Sequence, residues 1–194
     1  MTTWPWQVRL DRKLCLAGEY SDPDTTWTLP FTDTTINRIV LSNEFGAPGT
    51  ILTPDSNDGT SVVIAGDYSA GCCMLGRTYE MLVELTRFFR RRFNGTADLD
   101  SLVSVLKVVA AYRESGPFTL KRTIGNHADQ ELTFTQDDGE ISDSSTRILE
   151  AWFNGDADNA RIFIISESPK PVIVNSIDVL TDEEDQRGDP RGAS

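Results

Sequence analysis

Apolar residues recur along this chain with a period of two, in runs too short for helices and long enough for strands. Trp6-Gln7-Val8-Arg9-Leu10 alternates apolar and polar side chains, and Leu14-Cys15-Leu16 resumes the period after a charged interruption. Thr25-Thr26-Trp27-Thr28-Leu29 is β-branched and aromatic and is closed by Pro30. Arg38-Ile39-Val40-Leu41 and Ser61-Val62-Val63-Ile64-Ala65 are compact apolar runs, the second ending at the turn Gly66-Asp67. Between them, Phe45 to Gly59 holds three glycines and two prolines, which predicts loop around a short Thr50–Thr53 strand. The rhythm continues through Cys72 to Leu75, Tyr79 to Leu85 or beyond, Leu102 to Tyr112, and Thr119 to Ile124. Glu131 to Gln136, Ile148 to Phe153, Ala160 to Ser166, Val172 to Val174 and Ile177 to Leu180 complete the set.

Two stretches also fit a helix. Tyr79–Phe93 lacks strict alternation, and Leu99–Ala111 starts after Asp98 in the manner of a capped helix. Val103, Val105, Val108 and Val109 favour a pleated surface, and strand is expected for both. The whole pattern predicts an all-β protein of β-sandwich or barrel-like modules built from short antiparallel strands. A soft composition shift divides it into an N-terminal β module over 1–70 and a β-sandwich over 71–180. The stretch 181–194 has five acidic and two basic residues and almost nothing to bury, so a flexible acidic tail is expected there.

At 194 residues the chain can bury roughly 70% of its unfolded surface, enough for a core without metal or disulfide support. Lys and Arg number 18 against 30 Asp and Glu, a net charge of −12, which opposes general binding of nucleic acid. The three cysteines, Cys15, Cys72 and Cys73, are odd in number and two are adjacent, which argues against a disulfide framework and for a reducing compartment. Met1-Thr2-Thr3-Trp4 lacks the cationic start of a secretory signal, and no stretch approaches the ~20 apolar residues of a spanning helix. Synthesis in the cytosol without membrane insertion is expected.

Candidate chemistry is sparse. His127, the one histidine, sits in the polar turn Gly125–Asp129 and has no second base beside it in sequence. Gly66-Asp67-Tyr68-Ser69-Ala70-Gly71 has the glycines of a phosphate loop without its lysine, and reads as a strand-to-strand turn. Asp137-Asp138-Gly139-Glu140 has the composition of a hairpin tip. Asp156-Ala157-Asp158-Asn159 clusters oxygen donors but lacks a calcium-loop pattern. No catalytic residue, metal site or cofactor is expected. The unusual charge feature is Arg87-Phe88-Phe89-Arg90-Arg91-Arg92-Phe93, a basic and aromatic island in an acidic chain. Guanidinium groups fork onto carboxylates and phenylalanine supplies buried area, so Arg87, Phe88, Phe89, Arg90, Arg91 and Arg92 are the expected subunit interface. The competing readings are a solvated strand end and a phosphate contact.

Several segments, taken in order, resemble the C-terminal region of tail tubular protein B, the nozzle subunit of short-tailed phages. They are Leu10-Asp11-Arg12-Lys13-Leu14 with Gly18 and Thr25 to Phe31, then Pro48-Gly49 and Ser61 to Asp67. Gly76-Arg77-Thr78-Tyr79-Glu80-Met81 is similar to the family's glycine-x-x-tyrosine-glutamate segment, and Tyr112-Arg113-Glu114-Ser115-Gly116 to its tyrosine-x-x-serine-glycine turn. Ile164 to Pro171 and Val172 to Val179 are similar to its closing strands. The resemblance spans roughly residues 8 to 180 and transfers no catalytic signature. It implies a structural protein of the virion tail, made in the bacterial cytoplasm, in which identical subunits, usually six, form a ring. The ring would contact a tail adaptor ring and tail fibre or spike proteins, with viral DNA as passing cargo. Nozzle subunits normally carry a large propeller-like portion ahead of this region; here it would be a separately encoded upstream portion, or the chain is truncated.

Two rival functions remain. A carbohydrate- or receptor-binding β-sandwich of a tail fibre would use tryptophans as stacking platforms, from among Trp4, Trp6, Trp27 and Trp152; placement within strands predicts that Trp27 and Trp152 are core instead. A polymer hydrolase would need a carboxylate pair that no spacing here identifies.

Overall fold

The computed structural model describes residues 3–86, 90–91, 97–98, 102–124, 128–135, 140–156 and 160–184, and all regular structure among them is β. The strands run β1 (Asp11–Ala17), β2 (Glu19–Ser21), β3 (Asp24–Thr28), β4 (Arg38–Leu41), β5 (Ile51–Leu52), β6 (Ser56–Asn57), β7 (Ser61–Ala65) and β8 (Cys72–Arg77). They continue as β9 (Met81–Glu84), β10 (Arg90–Arg91), β11 (Ala97–Asp98), β12 (Leu102–Tyr112) and β13 (Phe118–Ile124). The last are β14 (Gln130–Phe134), β15 (Arg147–Asp156), β16 (Ala160–Ser166) and β17 (Val174–Glu184). Every pairing is antiparallel.

The first sandwich faces a sheet ordered β1-β8-β4-β5 against one ordered β2-β3-β7-β6. Its core is Trp27, Leu29, Ile36, Ile39, Leu41, Val62, Ile64, Cys73 and Leu75. Alternation explains the membership: Ile39 and Leu41 of β4 and Cys73 and Leu75 of β8 point inward, as successive side chains take opposite faces. Val40 and Met74 therefore point outward, yet Val40 is fully buried because Trp6, Val8 and Leu10 lie over it. With both faces covered, β4 needs the unbroken apolar run Ile39-Val40-Leu41.

That covering segment corrects an expectation. Trp6–Leu10 keeps its alternation, with Trp6, Val8 and Leu10 buried, but it joins no ladder. Its apolar side chains serve as a third layer on the first sandwich. Arg9 N donates instead to Pro169 O at 2.7 Å, and Ile141 packs into the same cluster, so the strap also contacts the second sandwich.

The second sandwich packs β14-β13-β16-β9 against the three-stranded sheet β15-β12-β17. Val105, Val108, Ala110 and Tyr112 of β12 meet Phe118 and Leu120 of β13, Ala151 and Phe153 of β15, and Ile162 and Ile164 of β16. Tyr112, Phe118 and Phe134 form an aromatic trio with centroids 4.6–5.7 Å apart, one pair edge-to-face. Both stretches with helical alternatives contain strand, β12 matching its expected bounds.

Three further expectations are corrected. The division after residue 70 falls one strand early, because β8 hydrogen-bonds to β1 and β4 of the first sandwich. The tail does not begin at Thr181: Thr181 to Glu184 pair with Val105 to Leu102 as the end of β17, where a central neighbour strand satisfies backbone groups regardless of side-chain charge. Val172–Val174 is not a strand of its own either: Val172 and Ile173 precede β17, which starts at Val174 and runs through Ile177–Leu180 with a register shift opposite Ala111/Tyr112. Residues 185–194 lie outside the described residues.

The expectation that the cysteines form no disulfide is also overturned. Cys15 and Cys72 are joined as a disulfide across β1 and β8, with Cα atoms 5.9 Å apart. Adjacent cysteines in a strand face opposite ways, so Cys72 looks outward to β1 while Cys73 enters the core as a free thiol. Burial pushes the Cys73 thiol up to about 12, with Glu44 adding to the effect, so it stays protonated.

Candidate functional site

The outer face of β15-β12-β17 carries an ordered grid of side chains. Lys107 of β12 stands opposite Trp152 on β15 and Leu180 on β17. One step along, Val109 is opposite Glu150 and Asp178, and one further, Ala111 is opposite Ile148 and Ser176. Trp152 is 64% exposed, Ile148 62% and Leu180 51%, so three large apolar side chains of one sheet face lie open.

Trp152 therefore corrects the expectation that it is core. Its neighbours Ala151 and Phe153 are the buried positions, and the period of two sends the indole outward. Trp27 lies in β3 between Thr26 and Thr28, on the opposite parity, and is fully buried. Lys107 holds the Trp152 ring: its Nζ is 5.0 Å from the ring centroid and pairs with Glu150 Oε2 at 2.5 Å. The ammonium is thereby shared between a carboxylate and the indole, and the lysine stem shields one side of the ring.

The sheet is open at both sides. Neither β15, ten residues long, nor β17, eleven residues long, has a second strand partner among the described residues. Long edges bearing apolar side chains are pairing surfaces that monomeric proteins usually blunt. Charge does part of that work here, through Glu150 and Asp178 on the face.

The sequence-predicted interface falls elsewhere. Arg87, Phe88, Phe89 and Arg92 lie outside the described residues. Arg90 and Arg91 form β10, whose backbone pairs with Asp98 and Ala97 of β11. His127, Asp137, Asp138 and Gly139, and the oxygen-rich stretch from Ala157 to Asn159, also lie outside the described residues.

The displaced carboxylates are turn residues. Asp33 is held down at about 2, first by the Thr35 hydroxyl at 2.6 Å and the Thr35 amide at 2.8 Å, then by Arg12. Asp58 is held at about 2 by the amides and hydroxyls of Thr60 and Ser61. Asp67 and Asp143 are lowered by Ser69 and Ser145 in the same fashion, with Arg147 helping at Asp143. These shifts stabilise the charged form and tie loops down, the opposite of what a proton-donating carboxyl needs. The Gly66–Gly71 stretch is such a loop: the Thr25 hydroxyl donates to Gly66 O at 2.5 Å and accepts from Tyr68 N at 2.9 Å. Among the described residues no three His, Cys, Asp or Glu side chains converge as a metal site, and no helix is long and apolar enough to cross a membrane.

A scan against protein-family models finds none that matches this chain, and a search of curated proteins finds no match either.

Proposed function

We propose that the chain is a structural component of a phage tail, one subunit of a ring that forms part of the distal tube or nozzle through which viral DNA is ejected. The observation that carries the assembly half of this reading is the open face of Ile148, Trp152 and Leu180 on a sheet whose two outer strands have no further partner among the described residues. An aromatic anchor with flanking aliphatics and a polar surround is the composition of an interface centre. The phage-tail half rests on the ordered resemblance between residues 8 and 180. The net charge of −12 suits a wall past which DNA moves without adhering. The role requires no catalytic step and no cofactor; its partners would be other copies of the chain, the adaptor or upstream nozzle portion, and fibres or spikes.

The test is to delete the gene for this chain from the virus that encodes it and to image the particles. Tails that lack their distal end, restored when the chain is supplied in trans, support the proposal. Particles with complete tails and normal DNA ejection refute it.

Trp152 also supports a second reading, a carbohydrate- or receptor-binding module of a tail fibre, because an indole open on one side is a stacking surface for a sugar ring. A glycan array separates the two. Glycan binding that Trp152→Ala abolishes, with particles intact, favours the module.

A further inference from the structure

Where the two sandwiches meet, a cleft of about 200 Å³ opens between the N-terminal strap and the β16–β17 connection. Its lining divides into three kinds of group. Arg9 and Lys170 are cationic, Ser166, Ser168 and Tyr79 carry hydroxyls, and Met81 and Val172 are apolar. Among the described residues no carboxylate lines it, in a chain with 30 Asp and Glu against 18 Lys and Arg. The cleft is thus a local inversion of the protein's charge.

The backbone holds these groups in place. The Arg9 backbone is fixed by the hydrogen bond that its amide N–H donates to Pro169 O, one residue from Lys170. Ser166 donates its hydroxyl to Pro117 O at 2.8 Å, Ser168 N points at Ser166 Oγ at 3.4 Å, and Lys170 N donates to Ser168 Oγ at 3.2 Å. Lys170 is 3% exposed, its stem laid over Gly116 so closely that any Cβ there would collide with it. Lys170 has interactions of its own, but an ammonium offers three donor hydrogens and can serve a resident partner and a ligand together. The guanidinium of Arg9 and the hydroxyl of Tyr79 make no side-chain hydrogen bond or ion pair among the described residues. Ser168 uses its oxygen as an acceptor in that bond, which leaves its hydroxyl proton to donate.

We propose that this cleft binds a small carboxylated ligand of single-ring size, of the acidic-monosaccharide class. Donors from Arg9, Tyr79, Ser168 and Lys170 meet the carboxylate and adjacent hydroxyls, a charge-assisted arrangement for which guanidinium geometry is suited. Met81, Val172 and the Tyr79 ring supply the apolar wall that the C–H face of a sugar ring covers. The volume lies below the ~300–1,000 Å³ of sites for drug-sized molecules, which restricts the ligand to about one ring. The adjoining surface restricts its charge: Glu80, Glu131 and Glu167 line the neighbouring depression, which shares Ser166 and Ser168. That acidic flank repels polyanions such as nucleic acid more strongly than a single carboxylate. The inference stands apart from the ring-assembly reading, since it uses none of the residues of the β15-β12-β17 face.

The experiment is a titration of the full-length chain with glucuronate, followed by amide chemical shifts or calorimetry, with glucose and inorganic phosphate as parallel arms. Saturable glucuronate binding at millimolar or lower concentration is expected, with shifts centred on Arg9, Tyr79 and Ser168. Arg9→Ala, at an exposed side chain whose backbone bond is retained, is expected to weaken it roughly ten-fold or more, the worth of one charge-assisted hydrogen bond. Tyr79→Phe tests the hydroxyl separately. Glucose binding as tightly as glucuronate would overturn the carboxylate assignment, and phosphate binding as tightly would overturn the ring. Absence of glucuronate binding, or binding unaffected by Arg9→Ala in a variant with the parent melting temperature, would overturn the site.

Discussion

Trp152→Ala separates a surface that serves assembly from one that merely tolerates an exposed indole. A tryptophan side chain buries up to about 250 Å². With 64% of the residue open, roughly 160 Å² remains available to a partner. At ~25 cal/mol/Å² its complete burial is worth about 4 kcal/mol, and burial of half that area about 2 kcal/mol. A loss of about 2 kcal/mol weakens each subunit contact by roughly 30-fold, enough to shift a ring toward monomers across a practical concentration range. The folded monomer should lose little. The lost intramolecular contact with Lys107, whose side chain is largely covered, is a single cation–π pair worth ~0.5–2 kcal/mol, and Lys107 keeps its bond to Glu150. Sedimentation velocity over a dilution series, beside urea unfolding of the same samples, reads both quantities. An association constant unchanged by Trp152→Ala in a chain that does self-associate would refute the assignment of this face. A monomer destabilised by several kcal/mol would show instead that the indole is structural.

Three other substitutions probe the fold. Phe118→Ala removes a side chain 1% exposed from the aromatic trio with Tyr112 and Phe134, and should cost about 3–5 kcal/mol in chemical denaturation. Asp33 has a folded-state value of about 2, below the ordinary 3.8, so its contribution is fully present above pH ~4 and is lost as pH falls through 2. Asp33→Asn should therefore lower the urea midpoint at pH 6 and flatten the decline between pH 4 and 2; an acid limb as steep as the parent's would contradict this. Cys15→Ser opens a link spanning 57 residues of sequence, for which loop-closure entropy gives an upper figure near 4 kcal/mol. The expected loss of about 2–4 kcal/mol should vanish when both proteins are compared in excess reductant.

The strands most legible in the sequence were those whose side chains decide their own conformation. β4, β7, β12 and β16 match the expected bounds because β-branched or valine-rich runs favour the pleat wherever they are placed. β2 and β6 escaped notice because Glu19–Ser21 and Ser56–Asn57 are short and polar, and become strand only by pairing with β3 and β7. Period alone also leaves open what covers an apolar stripe. Trp6, Val8 and Leu10 show the pattern of a strand but find a sheet face, not a ladder. The two tryptophans make the same point for function: Trp27 and Trp152 both sit in strands, and only the sheet opposite decides which is buried. The flanks of Trp152 held a usable signal, since Ala151 and Phe153 share a face that a core would claim. The cleft near Lys170 had no such signal, for it joins residues 9, 79, 166 and 170, brought together by the strap.

The place of β17 has a consequence for synthesis. All eight strands of the first sandwich are available once residue 77 has emerged, so that half can close early on the ribosome. The second half cannot: β12 acquires one of its two neighbours only when residues 174–184 are free of the exit tunnel, some sixty positions after β12 itself. Until then β12 waits with one side bare, and a nascent chain of the same kind, paused at the same point on a crowded polysome, carries the same vacancy within reach.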